Sequence, residues 1–314
     1  MYKNISSKYI LRLVITGYLR KKFCFKLVQH NKNIQRIIDI NLKDYKEYYK
    51  RRFFRTEMEI TTISKLEPDV KYFFIKMFEN KEYYHIYFDN DNNTQIKRNY
   101  ITYKDKVKKI TIKIDREFKS LRGLFSNCTA IKEFKFTKFN RDDFTDITEL
   151  FYGCENLEKI DLQKFKAPNL TKMNWVFSRC KYLRELNILN FDTSKVTEMI
   201  NIFSGCYLLN KLEFNFNTES VTNMKGMFYK CKSLTEIDVS KFNTEGVTNF
   251  QEMFFGCINL NYLNIRSFKL LKKDQKISGM FQQCKEDLKK VLLNQFGKGK
   301  KSKEYKALFS KIKF

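Results

Sequence analysis

The fold class this sequence predicts is an α/β solenoid, a right-handed array of near-identical coils with parallel strands along one face, and three observations predict it. Seven of the eight cysteines, Cys128, Cys154, Cys180, Cys206, Cys231, Cys257 and Cys284, stand 25 to 27 residues apart, and a fixed period of that size marks a stacked repeat. A phenylalanine precedes each by three residues: Phe125, Phe151, Phe177, Phe203, Phe228, Phe254 and Phe281. Within a unit the apolar spacing then changes character. Met224, Met227, Phe228 and Cys231 lie at i, i+3, i+4 and i+7, as on one face of a helix, whereas Ile237 and Val239 flank an outward Asp238, as in a strand.

Each unit therefore reads as a helical turn started by a polar cap such as Thr222, a bend, a short strand and a loop. A second phenylalanine closes most units, at Phe139, Phe165, Phe191, Phe242 and Phe268; Phe216 closes its unit one residue early, which accounts for the 25-residue interval. A lone coil leaves both flat faces wet and cannot repay the entropy of ordering its residues, so neighbours must stack.

The repeated run F-x-x-C-x-x-L-x-x-L-D/N-L-x-x-F-x-T-x-x-V-T-x-M-x-x-M-F resembles the BspA-type leucine-rich repeat, a surface-protein repeat of mycoplasmas, other bacteria and protists. The match covers about 120–284. Phe250 replaces one methionine, Ile200 and Ile202 blur another unit, and 269–283 lacks the Val-Thr element. The resemblance implies a binding or adhesion scaffold, with a cell-surface setting, and carries no catalytic residue.

Taken in chain order, residues 1–55 place Ile10, Leu13, Val14, Phe23, Leu27, Val28, Ile34, Ile37 and Ile38 at helical spacing, a helical N-terminal region. The apolar run at 10–19 is too short for a membrane span and is broken by Arg12. ILRLVITGYLRKKFCFKLVQHNK resembles an F-box without its leading Leu-Pro. Joined to leucine-rich repeats, an F-box would imply a substrate receptor of a ubiquitin ligase. Residues 56–119 form the N-terminal cap: YYHIYFDN and IKRNYITY read as a hairpin around Asp91-Asn92-Asn93, and VKKITIKID as the first strand feeding the array. Repeats occupy 120–284, and 285–314 supplies a closing helix and a basic tail whose last residues could touch an acidic membrane.

Charge narrows the function classes. The formal net charge is +26, yet residues 121–284 are nearly balanced, with 23 basic against 18 acidic side chains, so the excess sits at the two ends. Lysine outnumbers arginine 48 to 13, whereas base reading favours arginine forks. A basic surface of AT-rich composition is the expectation, rather than nucleic-acid binding.

Chemistry-bearing groups are sparse. No C-x-x-C occurs, and one inward position per coil makes the cysteines core thiols rather than bridges or metal ligands; unpaired thiols point to a reducing, cytoplasmic setting. His30 and His85 have no partner at motif spacing, and no glycine-rich phosphate loop is present. Neither a cofactor nor an enzyme activity is expected. Glycosylation triplets start at Asn4, Asn92, Asn127 and Asn169 and matter for an exported adhesion protein.

The strand face is the expected partner surface. Five residues beyond each cysteine stand Glu133, Lys159, Glu185, Lys211, Glu236 and Tyr262, a row alternating in sign. Seven residues beyond stand Lys135, Asp161, Asn187, Glu213, Asp238 and Asn264. These rows predict a self-neutralising, mildly acidic ladder suited to a protein or peptide partner, not to nucleic acid.

Overall fold

The chain divides into two units, 1–54 and 55–314. The computed structural model describes residues 56–77, 81–91, 93–115, 120–139, 144–270, 274–295 and 300–313, all in the second unit. The helical and F-box-like expectations for 1–55 lie outside the described residues.

The repeat is present, but the segment with helical spacing is not a helix. In the coil around Cys154 the Leu150 amide donates to the Ile147 carbonyl at 3.1 Å and the Cys154 amide to the Phe151 carbonyl at 3.1 Å, closing two successive turns. The third residue of each turn has a positive φ, 59° at Glu149 and 68° at Gly153, which an α-helix does not admit. The intervening amides of Ile147, Glu149, Phe151 and Gly153 instead donate to Lys172, Asn174, Val176 and Ser178 in the next coil, at 2.8–2.9 Å. Tandem turns place side chains at i, i+3, i+4 and i+7 as a helix does, so Ile147, Leu150, Phe151 and Cys154 are all buried. The same alternation joins the later coils, through Phe254 to Met280 and Gly256 to Gln282. Thr222, expected to cap a helix, donates its hydroxyl to the Thr197 carbonyl of the preceding coil at 3.3 Å.

Stacked coils bring their phenylalanines into a column. Neighbouring rings from Phe125 to Phe281 lie 5.2–6.1 Å apart, and most are within 8° of parallel. The cysteines form a second column, fully buried as far as Cys257. Each thiol donates to the phenylalanine carbonyl of the preceding coil, from Cys154 to Phe125 at 3.0 Å through Cys284 to Phe254 at 3.1 Å. That carbonyl already accepts the amide of its own coil's cysteine, as Phe151 does from Cys154, so the thiol fills its second lone pair. Buried threonines make a third column, the hydroxyls of Thr193 and Thr218 donating to Asn217 and Asn243 of the following coil at 2.9 Å.

Strands β1 (Thr56–Thr62), β2 (Tyr72–Phe73), β3 (Tyr84–Phe88), β4 (Tyr100–Ile101) and β5 (Lys109–Ile114) precede the array. The array contributes β6 (Ile131–Lys138), β7 (Lys159–Asp161), β8 (Glu185–Asn187), β9 (Lys211–Glu213), β10 (Glu236–Asp238) and β11 (Tyr262–Asn264). Five strands form one sheet in the order β3-β5-β1-β6-β7, antiparallel except for the parallel β6–β7 pair. Beyond it the array strands pair in parallel only as β8–β9 and β10–β11, so among the described residues the parallel ladder is interrupted rather than continuous.

The cap differs from its expected layout. β1, whose Met58 and Ile60 alternate with Glu57 and Glu59, was not anticipated, yet it is the strand that lies against the array. β5 stands one strand further out. The Asx turn is present, Asp91 Oδ1 accepting from the Asn93 and Thr94 amides at 2.8 and 3.2 Å. Its arms meet through a single Ile86–Ile96 bridge, after which the second arm leaves to pair β4 with β2.

Both ends of the sheet system are closed by glutamine. At the start, Gln95 Nε2 donates to the Tyr84 carbonyl on the outer edge of β3 at 2.9 Å. At the finish, Gln295 Oε1 accepts from the Ile265 amide at 3.0 Å while its Nε2 donates to the Leu263 carbonyl, imitating a further strand. Gln295 ends helix α1 (Glu286–Gln295), which buries Leu288 and Leu292. Helix α2 (Lys300–Lys311) covers the end of the ring column, Phe309 lying 5.9 Å from Phe281 and the Tyr305 hydroxyl donating to the Phe268 carbonyl at 2.7 Å. The segment expected to be a basic tail is thus a second closing helix. Tyr305 and Phe309 on this helix are buried against the core, and Leu308 and Ile312 are partly buried against it.

Candidate recognition surface

The outer face of the five-stranded sheet carries a concavity of about 480 Å³, lined by Glu59, Thr61, Lys109, Glu133, Lys135, Lys159 and Asp161 over the backbone of Phe134 and Ile160. Register assembles it. Glu59 on β1 stands opposite Lys135 on β6, which stands opposite Asp161 on β7; Thr61, Glu133 and Lys159 form the adjacent row. The predicted rows therefore extend into the cap by one strand that the sequence reading had not placed.

Glu59 is the electrostatic centre. Its carboxylate pairs with Lys135 at 2.8 Å and with Lys109 at 3.0 Å. Burial alone would raise the Glu59 carboxyl, but the hydrogen bonds from Lys135 and Lys109 outweigh it and hold the group below the usual carboxylate range. The same bond raises the Lys135 ammonium. Lys159 reaches Glu133 at 3.8 Å and is largely exposed, and Thr61 Oγ1 donates to Glu133 Oε2 at 3.3 Å. Three cations and three carboxylates thus share the basin.

Other predicted site residues have a different task. Asp161, Asn187, Asp238 and Asn264 each accept, through Oδ1, the amide two residues on, at Gln163, Leu189, Ser240 and Arg266. These Asx turns stop each strand and start the following loop. Lys135 and Glu213, at the same position, make no such turn and turn sideways: Lys135 to Glu59, Glu213 to Asn187 Nδ2 and to Lys211 at 3.5 Å. The expected sign alternation is realised between Glu133 and Lys159, while Lys211, although it stands opposite Glu185 in the β8–β9 ladder, pairs within its own strand with Glu213. Glu185, Glu236 and the exposed Tyr262 stand at the strand starts beyond the basin.

The remaining candidates hold no chemistry of that kind. Burial raises the Cys154, Cys206 and Cys284 thiols to about 12 and the other ladder thiols well above their ordinary value, so they stay protonated donors. Because each is buried and hydrogen-bonded, its unpaired state follows from packing and says nothing about compartment. His85 has a partner that spacing could not reveal, Asp115 at 3.3 Å across the start of the following loop. Among the described residues no three His, Cys, Asp or Glu side chains group as metal ligands, and no helix is long and apolar enough to cross a membrane.

No curated protein matches the chain. A solved leucine-rich repeat protein of T. pallidum, TpLRR, is similar at 20% identity over 58% of this chain and 77% of its own, with a TM-score of 0.39. The model of the family described as "Mycoplasma protein of unknown function, DUF285" matches residues 119–213 and 171–296, together more than half of the chain. The matched span covers the whole phenylalanine and cysteine columns, and on that match the chain belongs to the DUF285 family of Mycoplasma proteins of unknown function.

Proposed function

We propose that this protein is a non-catalytic recognition scaffold, a right-handed leucine-rich-repeat solenoid of the BspA type that binds a protein or peptide on its strand-lined face. The observation that carries the reading is the basin where cap and array meet. It is concave, built on rigid strands, and presents three lysines and three carboxylates in fixed rows, an arrangement suited to a partner of mixed polarity. Balanced charge there disfavours a nucleic-acid backbone, which calls for clustered cations.

A substrate-receptor reading draws on one further observation, the division of the chain after residue 54. A separate N-terminal unit could engage an adaptor while the array holds a target, and deleting 1–54 would then abolish adaptor capture but not target capture.

The basin reading is tested by charge reversal. Lys135→Glu with Lys159→Glu in the full chain should lower recovery of the proteins captured quantitatively by the wild type at least tenfold, and a partner selected for the reversed basin should regain affinity. Unchanged capture by the double variant would refute it.

A further inference from the structure

A second surface runs along the edge between the tandem turns and the strands, and its composition differs from that of the basin. Across four consecutive coils, positions 178–184, 204–210, 229–235 and 255–261 hold Arg179, Lys181, Arg184, Lys230 and Lys232 and not one carboxylate. Of the neighbouring acids, Glu155 pairs with Lys181 at 2.8 Å and Glu158 with Lys132 at 3.9 Å, and Glu185 and Glu236 begin the next row, on the strands. Charge in the repeats as a whole is nearly balanced, so this ridge is a local concentration rather than a share of the general excess.

Aromatic side chains lie between the cations. The Arg179 guanidinium sits over the Tyr152 ring of the preceding coil at 5.6 Å, Lys232 over Tyr207 at 4.8 Å and Lys230 over Tyr229 at 5.1 Å, while Tyr229 and Phe255 stack at 5.0 Å. Tyr182 and Ile258 are exposed on the same ridge, about half of each open to solvent. Coils about 4.8 Å apart set the pitch of these groups.

We propose that the ridge docks an extended acidic segment of a partner protein, one in which Asp or Glu alternates with apolar residues. Arg179, Arg184, Lys230 and Lys232, none of them ion-paired among the described residues, supply the charge complementarity, while Lys181 is shared with Glu155. The ring geometry selects peptide over nucleic acid. A single strand binds by stacking bases on open ring faces, but at Tyr152, Tyr207 and Tyr229 one face already carries a cation and Tyr229 also stacks on Phe255, while the exposed Tyr182 and Ile258 offer apolar contact between the cations. A peptide in which carboxylates alternate with apolar side chains matches that interleaving of cations with exposed Tyr182 and Ile258. This surface shares no residue with the basin, so either proposal can fail without the other.

The test is fluorescence anisotropy on the full chain with a labelled twelve-residue peptide of alternating Glu and Leu, at 50 and 200 mM NaCl, with labelled oligothymidine and heparin as comparison probes. The expected result is saturable peptide binding that weakens with salt, and at least a tenfold loss in Arg179→Glu combined with Lys230→Glu. Lys159→Glu in the basin, and Lys97→Glu with Lys108→Glu on the cap, should leave it within twofold. Far-UV circular dichroism and melting identical to wild type would exclude unfolding as the cause of the loss. Any of three outcomes overturns the proposal: no peptide binding at 50 mM salt, equal losses from the cap and ridge reversals, or oligothymidine or heparin binding that the acidic peptide cannot displace.

Discussion

The two sides of a coil are held in different ways. On the turn side the coils share alternate backbone hydrogen bonds, a ring column and a thiol column, repeated with little change from Phe125 to Phe281. On the strand side the ladder forms between β6 and β7, β8 and β9, and β10 and β11, and lapses between these pairs. Stability and variation are therefore segregated. The turn side supplies the spine, and the strand face and ridge, freed from that task, carry the charges that differ from coil to coil.

The sharpest way to break this contrast is to delete one ring from the spine. Phe177→Ala should cost about 3–5 kcal/mol in urea unfolding, the range for a fully buried phenylalanine, because the ring is buried and stacked on both sides. Cys206→Ala should cost less, about 1–2 kcal/mol, since the Phe177 carbonyl loses the thiol but keeps the Cys180 amide. In the wild type none of the seven ladder thiols should react with an aromatic disulfide reagent until the chain unfolds.

At the far end Gln295→Ala should cost about 1 kcal/mol. By uncovering the edge of β11 it should also produce concentration-dependent association, visible by sedimentation. On the strand face Asp161→Ala should cost no more than about 1 kcal/mol, the loss of one Asx turn; a cost matching that of Phe177→Ala would erase the distinction between the two sides.

The cap offers a pH test. Arg98 donates to Asp105 through both terminal nitrogens, and these hydrogen bonds, aided by the Thr102 amide and hydroxyl, lower the Asp105 carboxyl to about 2. A carboxyl depressed on folding stabilises the native state above its unfolded value near 3.9 and loses that contribution as pH falls toward 2. Wild type should therefore lose stability relative to Asp105→Asn over that window and not above it.

Much of this was legible in the sequence, for a physical reason. A buried position repeated once per coil tolerates few side chains, so Cys128 to Cys284 and their phenylalanines state the period directly. The backbone was harder to read, because tandem turns and a helix place the same residues inward. The distinguishing signal was glycine: six of the ten, Gly123, Gly153, Gly205, Gly226, Gly256 and Gly279, fall one or five residues before a cysteine, and all have positive φ. At Gly153 even a methyl would meet the Asn127 side chain at 2.1 Å. The rows of the candidate face were also legible, but not the basin, since Glu59 and Lys109 reach it only through antiparallel pairings that no local pattern announces.

Native-state hydrogen exchange on the turn-side amides tests the central claim most directly. If the turn side is the spine, the amides of Phe151, Gly153, Phe177 and Arg179 should exchange about tenfold more slowly than those of Glu185 and Asn187, which alternate with the β9-directed amide of Ile188 and so point to the unpaired β7–β8 gap. Equal protection, or slower exchange on the strand side, would contradict the account.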